Sequence, residues 1–177
     1  ISVTDALGGT VTYTYDPAGN RVAVTDPNSH MTSYTYDATN RLSTITNPLG
    51  FVQSTTYDQN GNPATITNAN GDITAIVYDS LDRRTEVHYA DESQILYTYD
   101  AVGNRLTMVD ETGSTNYVYD VLNRPTSITS SAGTTSYTYD ARNRLTLTTP
   151  AGTTTYQYNP VDQLQQVVDW NSGVRTY

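Results

Sequence analysis

The sequence contains no cysteine and no lysine, one phenylalanine, one tryptophan and two methionines. Without cysteine there is neither a disulfide framework nor a thiolate metal site, and the redox compartment stays open. All nine basic residues are arginine, against 18 acidic ones, for a net charge of −9. An acidic chain without a basic cluster repels phosphate backbones, so nucleic acid is excluded as a partner. No apolar run approaches the roughly 20 residues of a membrane-spanning helix. The opening ISVTDALGG has neither the basic region nor the apolar stretch of a signal peptide. Apolar residues make up 36% of the 177, below the roughly 45–50% typical of globular domains on a slightly different count. A thick core is not expected.

What is abundant is tyrosine, 16 residues, together with Thr, Asn, Asp and Gly. This is an alphabet of strands and turns, poor in helix formers. Each Tyr followed by Asp or Asn recurs at Tyr15, Tyr36, Tyr57, Tyr78, Tyr99, Tyr119, Tyr139 and Tyr158, at intervals of 21, 21, 21, 21, 20, 20 and 19. So regular a period over eight copies means an array of one supersecondary unit.

Each unit reads as two strands and two turns. The first strand carries Tyr-x-Tyr, as in Tyr13/Tyr15, Tyr34/Tyr36, Tyr97/Tyr99, Tyr117/Tyr119, Tyr137/Tyr139 and Tyr156/Tyr158, and two-residue alternation puts each pair on one face. The tyrosines are expected to stack in ladders between neighbouring repeats. A turn follows, built on Asp16, Asp37, Asp58, Asp79, Asp100, Asp120 and Asp140, with Asn159 in the eighth copy. It closes with Gly19-Asn20, Gly61-Asn62 or Gly103-Asn104, or with Asn alone at Asn40, Asn123 and Asn143. Such residues tolerate positive φ and bond their own backbone. An arginine comes next, at Arg21, Arg41, Arg83, Arg105, Arg124 or Arg144. A return strand and a second turn complete the unit, the latter seen in TNPLG (Thr46–Gly50), TNANG (Thr67–Gly71), DETG (Asp110–Gly113) and TPAG (Thr149–Gly152).

After Gly-Asn, the apolar pair on the return strand is two residues apart, as in Val22/Val24, Ala64/Ile66 and Leu106/Met108. After Asn alone it is three apart, as in Leu42/Ile45, Pro125/Ile128 and Leu164/Val167. A spacing of three shares a face only if a residue bulges out. The single-Asn repeats are therefore expected to carry a bulge near Ser43–Thr44, Ser127 and Gln165–Gln166, and the Gly-Asn repeats are not. Leu145/Leu147 departs from this rule in a repeat two residues short.

The expected fold is all-β, a continuous antiparallel sheet of two-stranded hairpins. Eight units give about 16 strands and a width on the order of 75 Å, and sheets so wide coil or split.

The stretches YDPAGNRV, YDATNRLSTITNPLG, YDAVGNRLTMVDETG and YDARNRLTLTTPAG resemble the YD repeats of RHS-repeat proteins. That family includes bacterial Rhs polymorphic toxins, toxin-complex C components, wall-associated proteins and the teneurin YD shell. The resemblance covers essentially the whole chain. It implies a sheet wound into a hollow shell, which in the toxins encloses a C-terminal polypeptide, and an extracellular or cell-surface location. The alternative it leaves open is a surface fibre or adhesion structure of stacked repeats. The sequence departs from the toxins in having no DPxGL-type core region. Residues 1–177 read as a single array that begins and ends inside a repeat, an excerpt of a longer chain. Its partners would be neighbouring repeats, in the same chain or in an identical one joined strand to strand.

For chemistry the residues offer little. The identical placement of each repeat Asp favours an Asx turn over acid–base work. The arginines are expected to pair with those aspartates or with turn carbonyls. A glycan-binding surface of exposed Tyr and Arg is the weaker alternative. DQNGN (Asp58–Asn62) and NANGD (Asn68–Asp72) have the oxygen-rich look of calcium loops, but lack the acidic ligands and terminal Glu of a full one. His30 and His88 stand alone, as solvent-facing residues, and Trp170 takes a turn position as an exposed aromatic. No nucleophile, paired carboxylate or phosphate-binding motif is present. The expectation is a non-enzymatic protein without a metal or cofactor.

Overall fold

The computed structural model describes all 177 residues. It contains eighteen strands and no helix, in two compact units, Ile1–Gln94 and Ile95–Tyr177. The first unit holds β1 (Ser2–Thr4), β2 (Thr10–Tyr15), β3 (Arg21–Thr25), β4 (Met31–Tyr36), β5 (Leu42–Thr46), β6 (Val52–Tyr57), β7 (Pro63–Thr67), β8 (Ile73–Tyr78) and β9 (Arg84–His88). The second holds β10 (Gln94–Tyr99, starting on the last residue of the first unit), β11 (Arg105–Asp110), β12 (Gly113–Tyr119), β13 (Pro125–Ser130), β14 (Gly133–Tyr139), β15 (Arg144–Thr149), β16 (Gly152–Tyr158), β17 (Leu164–Val168) and β18 (Val174–Thr176). Within each unit every strand pairs antiparallel with the next in sequence, as β1 does with β2 and β17 with β18. The count exceeds 16 because β1 and β18 flank the eight repeat hairpins.

The two faces of the sheet differ in kind. Tyr34 and Tyr36 are both half-buried while Thr35 between them is exposed, and the same pattern recurs at Tyr97–Tyr99, Tyr117–Tyr119 and Tyr137–Tyr139. The tyrosines therefore share a face, as alternation requires. Across from them on that face lie the return-strand aliphatics, Tyr34 opposite Ile45, Tyr97 opposite Met108 and Tyr117 opposite Ile128. The other face is hydroxylic. Cross-strand pairs Thr35–Thr44 and Thr56–Thr65 bond at 2.6 Å, and Thr98–Thr107 and Thr138–Thr146 at 2.7 Å. Only two apolar side chains are buried, the cross-strand neighbours Ile76 at 8% and Val87 at 6% exposure. Each unit is thus a sheet one layer thick, held by its ladders and cross-strand pairs.

The register corrects the expectation for the bulge. In the single-Asn repeat at Tyr36, Thr35 opposes Thr44 and Tyr36 opposes Leu42, so Ser43 is the extra residue. The Gly-Asn repeat at Tyr15 is built identically, with Thr14 opposite Ala23, Tyr15 opposite Arg21, and Val22 extra. The same shift occurs in the other six hairpins; the extra residue is Thr126 rather than Ser127 at Tyr119, and Gln165 at Tyr158. Every repeat carries the bulge.

The turn explains why the two spellings are equivalent. In the Tyr15 repeat Gly19 donates its N–H to the Asp16 carbonyl and the Asp16 N–H reaches the Asn20 carbonyl. In the Tyr36 repeat Asn40 and Arg41 occupy those two places. Gly19 (φ 89°) and Asn40 (φ 60°) hold the same left-handed position, which Gly adopts freely and Asn or Asp tolerates. No residue is missing. The Asn of the short spelling replaces the Gly, and the Arg replaces the Asn.

The shortening period lies mainly in the second turn. In the first unit it spans five residues, as at Asp26–His30 between Thr25 and Met31. After β11, β13 and β15 it contracts to two-residue loops between Asp110 and Gly113, Ser130 and Gly133, and Thr149 and Gly152. The turn at Asp140 is itself one residue shorter and has no left-handed residue. Its two missing residues therefore come one from each turn.

Gly103 (φ 99°) has no neighbour within 4 Å of where a Cβ would stand, so Gly103→Ala tests backbone conformation alone. It is expected to lower stability by about 1 kcal/mol, while Asn40→Gly is near neutral; urea unfolding of the two variants measures the difference.

Candidate functional site

The repeated polar residues form a row of linked turns along each unit. Each turn carboxylate or amide folds onto its own backbone. Asp37 Oδ1 accepts from Thr39 N at 2.8 Å and Arg41 N at 3.0 Å, Asp120 Oδ1 from Leu122 N and Arg124 N at 2.9 Å, and Asn159 does the same with its amide oxygen. These bonds hold the carboxyls below the ordinary carboxylate range. The Asn20 amide does so for Asp16, the Arg41 backbone N–H for Asp37, the Arg83 guanidinium for Asp79 and the Arg124 backbone N–H for Asp120.

The arginines divide into two classes. Arg41, Arg83 and Arg124 follow the left-handed residue directly and donate Nε at 2.7 Å to their own turn Asp. Arg41 and Arg124 also reach forward into the next repeat. They lie 4.4 Å and 4.3 Å from the ring centroids of Tyr57 and Tyr139 and donate to the carbonyls of Asp58 and Asp140. Arg21, Arg105 and Arg144 instead stand opposite the repeat tyrosine at the start of the return strand and do not pair with Asp. They cover the first tyrosine of the next repeat, Tyr34, Tyr117 and Tyr156, at 4.9, 4.5 and 4.5 Å. The expectation of Asp or carbonyl partners thus holds for one class and is corrected for the other. What lies over the rings is arginine, in place of the tyrosine-on-tyrosine ladder.

The repeat tyrosine that precedes each turn carries a different link. Tyr36 donates its hydroxyl to the Arg21 carbonyl at 2.9 Å, Tyr57 to Leu42 at 2.8 Å, Tyr78 to Pro63 at 3.1 Å, Tyr119 to Arg105 at 3.0 Å and Tyr139 to Pro125 at 2.8 Å. Each acceptor is the residue that begins the preceding repeat's bulge, where the ladder is disrupted. Burial pushes the Tyr119 and Tyr139 hydroxyls up, favouring the neutral donor.

Neighbouring turns also alternate in type. In the first, third and fifth repeats the turn ends in Asn, whose amide donates to the left-handed residue of the next: Asn20 to Asn40 at 2.9 Å, Asn62 to Asp82 at 2.6 Å and Asn104 to Asn123 at 2.8 Å. The even repeats return the contact through Arg41 and Arg124. In the shortened seventh repeat Asn143 still donates to Asp162 at 3.0 Å, joined there by Arg142 at 2.5 Å. The contact pattern therefore repeats every two hairpins. Neither this alternation, the Arg142–Asp162 pair nor the threonine hydroxyl ladder was read from the sequence. The change from Gly-Asn to Asn-Arg carried the first signal, and Thr recurring between the tyrosines carried the last.

The RHS Repeat profile matches residues 1–30, 22–52, 57–94, 78–115 and 119–154. The chain belongs to the RHS-repeat family. No curated protein matches it. Among solved structures the RHS-repeat chain is similar to a Photorhabdus luminescens Tc holotoxin pore with a mutated TccC3, at 19% identity and a TM-score of 0.67 over 91% of this chain. It is also similar to TcdB2-TccC3 (19%, 0.67, over 90%) and to TcdB2-TccC3-TEV (19%, 0.69, over 95%). At that identity the likeness is one of fold. The chain spans 12% of each of those chains.

The remaining candidates of this RHS-repeat chain resolve into turn chemistry. In the calcium-like segments the oxygens face their own backbone: Asp58 Oδ1 takes Asn60 N and Asn62 N, and Asn68 Oδ1 takes Asn70 N and Asp72 N. No group of three His, Cys, Asp or Glu is arranged to hold a metal. His30 and His88 each bond a carboxylate, Asp26 at 3.0 Å and Glu86 at 2.9 Å. Trp170, 58% exposed, places its Cβ 2.7 Å from where a Cβ on Gly152 would be.

Two outcomes test the network. Asp→Asn at Asp37 keeps the turn acceptor that Asn47 and Asn68 already provide elsewhere, so it is expected to destabilise less than Asp37→Ala in thermal melts. Because the carboxyl pKa values are lower folded than unfolded, their contribution is present above the unfolded value near 4 and is lost as pH falls below it. Melting temperature should therefore drop below about pH 4, less steeply in a variant with Asp16, Asp37, Asp79 and Asp120 changed to Asn. In the second test, a double-mutant cycle on Asn104→Ala and Asn123→Ala is expected to give a coupling of about 0.5–1 kcal/mol, whereas Asn104 paired with the distant Asn159 gives none.

Proposed function

We propose that this chain is a non-catalytic wall segment in the RHS shell of a secreted or delivered, toxin-like bacterial protein. The observation that carries this reading is the single-layer sheet whose repeated side chains bond the next hairpin. Tyr hydroxyls, Arg guanidinia and turn Asp carboxyls along the array are engaged with neighbouring repeats or their own turns. Residues so used hold a surface together and are withdrawn from acid–base work. The repeat positions are thus assigned a structural role: the Tyr–Asp pairs, Asn159, the Gly and Asn of the turns and the Arg that follow them.

A sheet with two unlike faces and almost no buried side chain separates two spaces rather than enclosing its own core. Family membership and the Tc-toxin fold support a shell, with an enclosed C-terminal polypeptide as the cargo and the extracellular space as the destination. The test is electron microscopy of the parent protein together with limited proteolysis. The expected result is a hollow particle whose C-terminal polypeptide resists protease until the shell is opened. An open filament with a protease-sensitive C-terminus would overturn the shell in favour of a surface fibre.

A further inference from the structure

Asparagine followed by glycine occurs twice in the chain, at Asn60-Gly61 and Asn70-Gly71. In such a pair the glycine amide nitrogen can attack the side-chain amide carbon, and no Cβ hinders the approach. The two pairs share their backbone. Both glycines are left-handed, at φ 94° and 90°. Both donate back across the turn, Gly61 to the Asp58 carbonyl at 3.2 Å and Gly71 to the Asn68 carbonyl at 3.0 Å. They differ in what holds the asparagine. Asn60 donates its amide to Asp82 Oδ1 at 2.9 Å, beside the bond from Asn62 to the same oxygen at 2.6 Å. Arg41 reaches the Asp58 carbonyl from the preceding repeat, so that turn is tied on both sides. Asn70 stands exposed at the tip of the second turn, between β7 and β8. Its backbone N–H bonds Asn68 Oδ1 at 2.8 Å, but its side-chain amide is bonded to no other residue. Nothing lies within 4 Å of where a Cβ on Gly71 would stand.

We infer that Asn70 is a site of spontaneous deamidation and isoaspartate formation, and that Asp82 protects Asn60 from the same reaction. In the first step the Gly71 nitrogen bonds to Asn70 Cγ and gives up its proton. The Cγ–Nδ2 bond breaks, ammonia leaves, and a five-membered succinimide closes. Water then opens the ring. Attack at the side-chain carbon restores the main chain and leaves aspartate; attack at the main-chain carbonyl leaves isoaspartate, with the chain running through Cγ. One water is consumed and one ammonia released. The attack requires the Gly71 N–H to leave the Asn68 carbonyl and the Asn70 side chain to turn towards it. An exposed turn tip with an untied side chain opens locally at little cost. At Asn60 the same motion must also break an amide–carboxylate bond, which slows it about tenfold. The place of the reactive pair matters to the array. The turn at Asn68–Asp72 takes no part in the Asn and Arg links between first turns. Isoaspartate there adds a main-chain carbon and a negative charge to one hairpin end and leaves those links intact. At Asn60 it would disturb the link to the fourth repeat.

The 177-residue chain tests this directly. It is aged in mildly alkaline buffer and followed by peptide mass spectrometry, with isoaspartate counted by enzymatic methyl transfer. The Asn70 peptide is expected to convert to aspartate and isoaspartate, and the Asn60 peptide about tenfold more slowly. Asp82→Ala releases the Asn60 amide, so the Asn60 rate should rise towards that of Asn70. Asp82→Asn keeps an acceptor oxygen, as Asn40 and Asn123 provide for Asn20 and Asn104, and should keep Asn60 slow. In the urea-unfolded chain the two rates should converge, which separates the fold from the flanking residues. No conversion at Asn70, equal rates in the folded chain, an unchanged Asn60 rate in a folded Asp82→Ala chain, or a difference that persists in urea would overturn the proposal.

Discussion

The hydrogen bond from a tyrosine hydroxyl to the carbonyl that opens the neighbouring bulge is the constraint on which the array depends. A bulge takes one residue out of the ladder and leaves backbone groups to be satisfied by other means. In this chain every return strand bulges at the same place, so the requirement recurs at every repeat. The Tyr36-to-Arg21 bond and its four equivalents meet it from the next hairpin. Only a long, rigid side chain with a terminal donor spans that distance at low entropic cost, which is why Tyr recurs there and Phe does not. The bulge and the tyrosine thus explain one another.

Arginine does the second linking task, and its chemistry accounts for the absence of lysine. Arg124 at once donates to Asp120, covers the Tyr139 ring and reaches the Asp140 carbonyl. A planar fork with five donors can do these three things together; an ammonium cannot lie flat on a ring while donating in two directions. The basic charge is thereby concentrated along the turns, and the rest of the surface carries the acidic excess.

The alternation of turn types makes the four-stranded pair of hairpins the smallest unit that satisfies its own contacts. A turn ending in Asn needs a left-handed Asn or Asp beside it, and a turn ending in Arg needs a carbonyl and a ring. Two adjacent turns of the same type would leave one set without partners. The second turns are under no such demand, and they change from five residues to two after β11, β13 and β15 and return to five after β17. The side of the array that is linked is regular, and the other side tolerates variation.

The amino-acid sequence by itself determined the strands, their number to within the two flanking halves, the common face of the tyrosines and the position of each Asx-built turn. These follow from local rules, the two-residue alternation of a strand and the backbone preferences of Asp, Asn and Gly, which act over five or six residues. The structure alone decided which residue stands opposite which. Counting from Tyr36 placed a bulge near Ser43 correctly, yet the same count missed it at Val22, because there the apolar spacing looked regular. It also joined Arg21 and Arg41 in one class, although one lies at the left-handed turn and the other begins the strand. Their partners are 13 and 16 residues further on, Tyr34 and Tyr57 in the next hairpin. Contacts of that kind depend on how hairpins register against each other, and no local preference specifies them.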